Sequence, residues 1–263
     1  MPPKSRLGQN FLRDRAAIER IGAALGDVSA ETVVEIGPGQ GAITSVLAAK
    51  AAHVIAVEFD PSLATALQAY FPAEKLTVVH QDVLEFDFAT ASAQAGHRLP
   101  VAGNLPYYIT SPILLKLAEN HASLDRAVLM VQREVAERVT AAPGSRDYGL
   151  LSVTGQMYGP VEELFTLPPG AFSPPPEVHS TVFRWRFAPR FAELGVEEGG
   201  FLGFARQAFA QKRKTLANNL RAAGFSADAV QAAFAIAGVA AQVRAEALSL
   251  EELAAIWQGI STG

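Results

Sequence analysis

The sequence predicts an α/β protein: a mostly parallel sheet with helices between its strands, followed by a small all-helical domain. Three observations predict it. From about residue 31 onward, short β-branched runs alternate with amphipathic segments, the pattern of a βαβ series. A glycine-rich turn, Gly37-Pro-Gly-Gln-Gly41, follows the first of these runs and opens a helix-period segment. From Gly199 the chain turns Ala-rich with helical period, and Gly224 and Gly238 stand where helices should end.

The predicted strands are Thr32–Ile36, His53–Glu58, Leu76–His80, Leu99–Ala102 and Ala127–Val131, each a short apolar run bounded by turn residues. Between them, Ala42–Lys50, Ser62–Tyr70, Ser111–Asn120 and Arg133–Thr140 read as helices. Ser62 and Ser111 suit helix starts, each beside a Pro tolerated in a first turn. Leu151–Tyr158 and Ser180–Phe187 read as strand-like pieces around a Pro-rich run. Val182–Phe187 alternates, as an edge strand with Arg184 and Arg186 facing solvent would. A boundary near Pro189–Gly195 divides residues 1–190 from 191–263.

With 263 residues, 49% of them hydrophobic, the chain can bury a sizeable core. It has no cysteine, which excludes disulfides, thiolate metal sites and cysteine nucleophiles. The five histidines, His53, His80, His97, His121 and His179, lack metal-ligand spacing, so no metal is predicted. The first residues lack a signal-peptide core, and the longest apolar run, Ala232–Ala241, is too short to span a bilayer. A cytoplasmic protein with no membrane partner is the expectation. Net charge is −4, yet Lys4, Arg6, Arg13, Arg15 and Arg20 crowd one stretch, and Arg206, Lys212, Arg213, Lys214 and Arg221 another without acids. These read either as solvated helix faces or as local patches for nucleic acid.

Glu35 stands just before the glycine turn, whose spacing is Gly-x-Gly-x-Gly and not Gly-x-Gly-x-x-Gly. A pyrophosphate prefers N–H donors without a carboxylate nearby. A cofactor carrying a cation and an amino acid, such as S-adenosylmethionine, suits Glu35 better, though a dinucleotide-binding dehydrogenase shares the general layout. Glu58 ends the second strand about twenty residues on, where an acid in a Rossmann-like sheet grips a ribose diol. Asp82, after the third strand, suits an adenine exocyclic amine, with a backbone N–H of the adjoining Val83 turn meeting a ring nitrogen. The plainer readings are a strand end for Glu58 and a turn cap for Asp82.

Asn104-Leu-Pro-Tyr107 closes the fourth strand. The Asn104 side-chain oxygen and the Leu105 carbonyl can both accept from an –NH2 group, freeing the nitrogen lone pair for attack, while the Tyr107 ring covers one face of a planar base. A strand followed by a Pro turn, with Tyr107 simply packing, is the alternative. Phe172 fits the base's other face or the core. Glu35, Glu58, Asp82 and Asn104 all fall at carboxyl ends of strands, where ligands bind in such sheets.

Together with Gly8-Gln-Asn-Phe-Leu12, Asp147-Tyr-Gly-Leu-Leu-Ser152, Phe172-Ser-Pro-Pro-Pro-Glu-Val178 and Phe209–Asn219, these residues resemble the rRNA adenine N6,N6-dimethyltransferase family over residues 8 to about 220. The small-subunit (16S) branch is the most similar. The resemblance implies a Rossmann-like S-adenosylmethionine-dependent methyltransferase domain at 1–190 and a helical RNA-binding domain at 191–263. It implies that Asn10 and Leu12 cover the cofactor, with Gly37, Gly39, Glu58, Asp82, Val83 and Asn104 lining its pocket. Lys212, Arg213 and Lys214 then meet the phosphates of 16S rRNA in an immature small subunit, the protein acting as a monomer on two adjacent adenosines. Tyr108 departs from the pattern, since family members often carry Asn there. A 23S rRNA adenine N6-methyltransferase of the resistance type and a non-catalytic ribosome-assembly factor are the alternatives.

Overall fold

A computed structural model describes residues 10–261. Chain contacts divide it into two compact units: residues up to Ala136 with Val161–Phe187, and Glu137–Pro160 with the chain from Ala188 onward. The sequence reading placed 137–160 in the first domain. The structure places this segment with the helical unit, because its side chains bond there. Tyr158 Oη donates to Glu198 Oε1 at 2.6 Å, and the Ala188 amide donates to the Tyr158 carbonyl.

In chain order the elements of the first unit are β1 (Phe11–Leu12), α1 (Arg15–Ala24), β2 (Thr32–Ile36), α2 (Ala42–Lys50), β3 (His53–Glu58), α3 (Pro61–Tyr70), β4 (Leu76–His80) and α4 (Phe88–Ala95). Then follow β5 (Leu99–Asn104), α5 (Thr110–Glu119), β6 (Leu124–Gln132), and α6 (Arg133–Thr140), in which the division falls. After α7 (Leu150–Met157), which lies in the second unit, come β7 (Val161–Leu167), β8 (Phe172–Ser173) and β9 (Ser180–Arg186). Seven strands form one sheet in the order β4-β3-β2-β5-β6-β9-β7. β4 to β6 pair in parallel, and β9 and β7 add antiparallel. The chain runs outward from β2 through β3 to β4, then restarts beside β2 with β5. The carboxyl ends of β2 and β5 therefore flank the topological switch point where ligands bind in such sheets.

The central strands are apolar on both faces because helices cover both: Val33, Val34, Val54, Val101 and Val128 are fully buried. Gly103 lets β2 and β5 close together, since a Cβ there would stand 2.7 Å from the Ile36 carbonyl oxygen. α1 starts where Asp14 Oδ1 accepts the Ala17 amide at 3.0 Å, a side-chain N-cap. β1 pairs antiparallel with β8, Leu12 opposite Phe172. Asp125 and Glu31 hold Arg126, whose Nε donates to the Leu25 carbonyl at 2.5 Å.

The second unit is helical: α7, α8 (Glu198–Ala208), α9 (Leu216–Ala222), α10 (Ala227–Ala237) and α11 (Leu250–Ser261). Phe191, Phe201, Phe204 and Trp257 make its aromatic core. Gly238 ends α10 in the left-handed conformation. No helix among the described residues is long and apolar enough to cross a membrane. Two element expectations are corrected. Leu151–Tyr158 is not a strand but lies largely in α7, where Ser152 Oγ donates to the Arg138 carbonyl and Gln156 Nε2 to those of Val139 and Ala141. Those bonds cap α6 and override the β-propensity of Val153 and Thr154. Nor is the 180–187 strand an edge: β7 pairs on its outer side, and Glu162 bonds Arg184 there at 2.5 Å.

Candidate active site

Two adjoining clefts open at the rim of the sheet and share Gly37, Glu58 and Pro106. The first, about 750 Å³, is lined by Asn10, Phe11, Leu12, Glu35, Gly39, Asn104, Leu105 and Tyr107 among others. The second, about 830 Å³, takes in Phe59, Gln81, Asp82, Val83, Tyr108, Ile109 and Ile113. Every residue assigned from sequence to the cofactor therefore lines one cleft or both. Gly8, Gln9, Lys4 and Arg6 lie outside the described residues.

The glycine turn holds this geometry through Glu58. Its Oε2 accepts the Gly39 amide at 3.0 Å and its Oε1 the Asp60 amide at 2.9 Å, so the end of β3 is tied to the turn after β2. Gly39 has φ 58°, and a Cβ there would press within 3.1 Å of the Phe11 ring. The turn thus needs glycine both for its left-handed backbone and for the approach of β1, which lies over it. Asp82 Oδ1 accepts the Leu84 amide at 2.9 Å, fixing the turn after β4.

Glu35 is 1% exposed, and burial pushes its carboxyl up to about 8. Thr44 in α2 partly counters the rise, and the charge of Glu58 adds to it. Yet neither Glu35 Oε2 nor Thr44 Oγ1, both buried, has a partner in hydrogen-bond geometry. A buried, unpartnered carboxyl oxygen facing a cleft fits a cation or an N–H donor. Among the described residues, neither cleft is lined by Lys or Arg, while Glu35, Glu58 and Asp82 are all present. Such a lining disfavours a pyrophosphate, and with it the dehydrogenase reading, and fits S-adenosylmethionine with its sulfonium and ammonium.

Asn104 Nδ2 donates to the Asn10 backbone carbonyl at 3.0 Å. The bond fixes the amide orientation, so Oδ1 is the atom left to accept. The hydrogen bonds of the following turn, from the Ile109 amide and Thr110 Oγ1, end on the Pro106 carbonyl and leave the Leu105 carbonyl outside them. The Tyr107 ring lines the first cleft. Its hydroxyl lies 2.6 Å from Ser180 Oγ on β9, and partial burial raises the phenol, an effect Ser180 lessens. An acceptor pair and an anchored aromatic wall thus stand beside the acid-lined pocket.

Of the two readings for Phe172, the structure shows the core one. It is 4% exposed, packs in the core cluster with Leu12, Ala17 and Met130, and lines neither cleft. Its pairing through β8 with β1 sets it opposite Leu12, so in this structure its contacts are those of the core. Lys212, Arg213 and Lys214 are exposed in the second unit, but Lys212 Nζ donates to the Arg146 carbonyl at 2.8 Å. Phe11, Phe59 and Tyr108 line the clefts although the sequence reading assigned none of them a role, and each adjoins a residue it singled out. No cluster of metal-ligating side chains occurs among the described residues.

A mostly parallel sheet with a pocket at its switch point that is acidic among the described residues is the architecture of an S-adenosylmethionine-dependent methyltransferase. The model of the ribosomal RNA adenine dimethylase family matches residues 3–261, and the chain belongs to that family. A protein of Acidobacterium capsulatum named ribosomal RNA small subunit methyltransferase A is 59% identical, over 97% of this chain and 90% of the relative. One of the same name from Koribacter versatilis is 49% identical, over 99% and 95%. Among solved structures, the 23S rRNA methyltransferase ErmE is 25% identical, covering 96% of this chain and all of that one, with a TM-score of 0.73. A dimethyladenosine transferase from Plasmodium falciparum shares the fold at 21% identity, 96% and 98% coverage and a TM-score of 0.79.

Proposed function

We propose that this protein dimethylates N6 of two adjacent adenosines near the 3′ end of 16S rRNA, acting as a cytoplasmic monomer on an immature small subunit. The observation that carries the reading is the shared wall of the two clefts: residues suited to a methyl donor and residues suited to an amino group border one space. Identity of 49–59% to proteins named for the small subunit, against 25% to the 23S enzyme, favours 16S over 23S rRNA. An intact Asn104–Tyr107 acceptor site speaks against a non-catalytic assembly factor.

S-adenosylmethionine supplies, when bound, an electrophilic methyl on a sulfonium. Asn10, Leu12, Gly37 and Gly39 would border the cofactor, Glu35 would face its cationic half, Glu58 would take the ribose hydroxyls, and Asp82 with the Val83 turn would take the adenine edge. Asn104 Oδ1 and the Leu105 carbonyl accept the two N6–H bonds of the target adenine and turn its lone pair toward the methyl. Tyr107 stacks on the extruded base, a contact worth about 1–3 kcal/mol. Taking a base out of its stack is the general requirement for chemistry on N6, and positioning of this kind supplies much of the rate. Arg213 and Lys214 meet RNA phosphates, with Lys212 holding the Arg146 segment beside them.

Incubation with labelled S-adenosylmethionine and either unmethylated small subunits or large subunits, followed by nucleoside analysis, tests this. N6,N6-dimethyladenosine should appear in 16S rRNA alone. Label confined to 23S rRNA, or none in either, refutes the proposal.

A further inference from the structure

One buried hydroxyl reaches the Tyr107 ring from a strand that lines neither cleft. Ser180, the first residue of β9, is fully buried, and its Oγ lies 2.6 Å from the Tyr107 hydroxyl. Tyr107 follows β5, and β6 stands between β5 and β9, so the bond crosses the carboxyl end of β6. Ser180 is itself held on both sides. It pairs with Gln132, the last residue of β6, and with Leu167 of β7. The Arg133 amide donates to the adjoining His179 carbonyl at 2.9 Å, and Thr181 Oγ1 lies 2.8 Å from Thr166 Oγ1. The half-buried Tyr107 ring is thus fixed by its turn at one end and by Ser180 at the other.

Dimethylation makes unequal demands on that ring. In each transfer an N6–CH3 bond forms as the S–CH3 bond breaks, the electron pair of the broken bond stays on sulfur, and one N6 proton leaves to water. Adenine enters the first transfer with two N6–H bonds, one for Asn104 Oδ1 and one for the Leu105 carbonyl. Two such bonds fix both the position and the plane of the amine. N6-methyladenine enters the second transfer with a single N6–H, so one acceptor goes unused and the base can turn about the bond that remains. An aromatic face against the base removes that freedom, provided the ring is itself held in place.

We propose that Ser180 is a positioning residue for the second methylation: by pinning the Tyr107 hydroxyl it fixes the ring that orients N6-methyladenine. The role rests on the dimethylation reading above and adds to it a residue outside both clefts.

In the test, the full chain saturated with S-adenosylmethionine receives unmethylated small subunits, and N6-methyladenosine and N6,N6-dimethyladenosine are followed with time. Tyr107→Phe keeps the ring and loses only the hydroxyl. It and Ser180→Ala should each slow the second transfer by about two- to tenfold more than the first, the range of one net hydrogen bond. N6-methyladenosine should therefore accumulate. The double variant should go no further than either single one, because both remove the same bond. Melting temperatures report any packing cost separately. Were Ser180→Ala unable to fold, Tyr107→Phe against the wild type carries the test alone. An unchanged ratio of the two products, or equal slowing of both transfers, overturns the role of Ser180, as does a double variant whose effect is the product of the single ones. A wild type that forms no N6,N6-dimethyladenosine overturns the dimethylation reading and this role together.

Discussion

Replacing Glu35 by Gln should change how stability depends on pH, and by an amount the structure sets. Glu35 is 1% exposed and its carboxyl is raised from 4.5 to about 8, chiefly by desolvation. Below about pH 4.5 the folded and unfolded chains both hold the proton, and the residue costs nothing. Between 4.5 and 8 the unfolded chain releases a proton that the folded chain keeps, so folding loses stability as pH rises. At about 1.4 kcal/mol per pH unit, the loss reaches on the order of 3 kcal/mol at pH 7 and 5 kcal/mol near pH 8. A glutamine side chain is nearly isosteric and does not titrate. Urea unfolding of both proteins without cofactor, from pH 4.5 to 8, should show the wild type losing ground to Glu35→Gln by about 3 kcal/mol up to pH 7. Because a sulfonium or ammonium beside Glu35 favours the carboxylate, S-adenosylmethionine should bind the wild type with release of a proton, and Glu35→Gln more weakly without it. A stability difference that is flat across this range would show that Glu35 is not held neutral, and the reasoning would fail.

Asn104→Ala should lower methyl transfer by about 10²–10³, the range for a lost polar contact at a reacting centre, with a much smaller change in the affinity for S-adenosylhomocysteine; single-turnover assays beside calorimetry check both halves. Phe172→Ala should act through stability, lowering unfolding free energy by about 3–5 kcal/mol, while Phe172→Leu retains most activity; a fall in turnover without a fall in melting temperature would return Phe172 to the base site. Arg213→Glu with Lys214→Glu should weaken RNA binding and reduce its salt slope by about two, with cofactor affinity unchanged. Lys212→Met should in addition speed amide exchange at Gly144 and Ser145, because its ammonium holds the Arg146 carbonyl; unchanged exchange there would leave Lys212 as a phosphate contact only.

What the sequence disclosed of the fold follows from which forces are local. β2 and β3 are legible because strands covered on both faces must be largely apolar, and Gly37 and Asp60 mark where they stop; β4, at the sheet edge, is legible only as the short run Leu76–Val79. β7 is not. Its Val161-Glu-Glu-Leu-Phe-Thr-Leu breaks period at a bulge between Glu163 and Phe165, and only pairing with β9 makes it a strand. α7 misleads in the opposite sense: its β-branched residues are overridden by side-chain bonds to the end of α6. α4 rests on a cap from Asp87 and on burying Phe88, neither of which shows as a helical period.

The site was more legible than the fold around it, for a topological reason. In a parallel sheet every strand delivers its last residue to the same rim, so an acid or amide at successive strand ends is placed without knowledge of any tertiary contact. Glu35, Glu58, Asp82 and Asn104 obey this. Phe172 does not, because its orientation depends on the pairing of β8 with a strand at the other end of the chain. The three acids also differ in a way spacing cannot express. Glu58 spends its carboxylate on two backbone amides and so holds the glycine turn in shape. Asp82 spends one oxygen on its own turn. Glu35 alone keeps a buried oxygen unpartnered, at a cost to the empty fold that a cationic ligand removes. The sheet thus builds the cleft around two acids already engaged by its own turns, and on the proposed reading leaves the third for the cation of the cofactor.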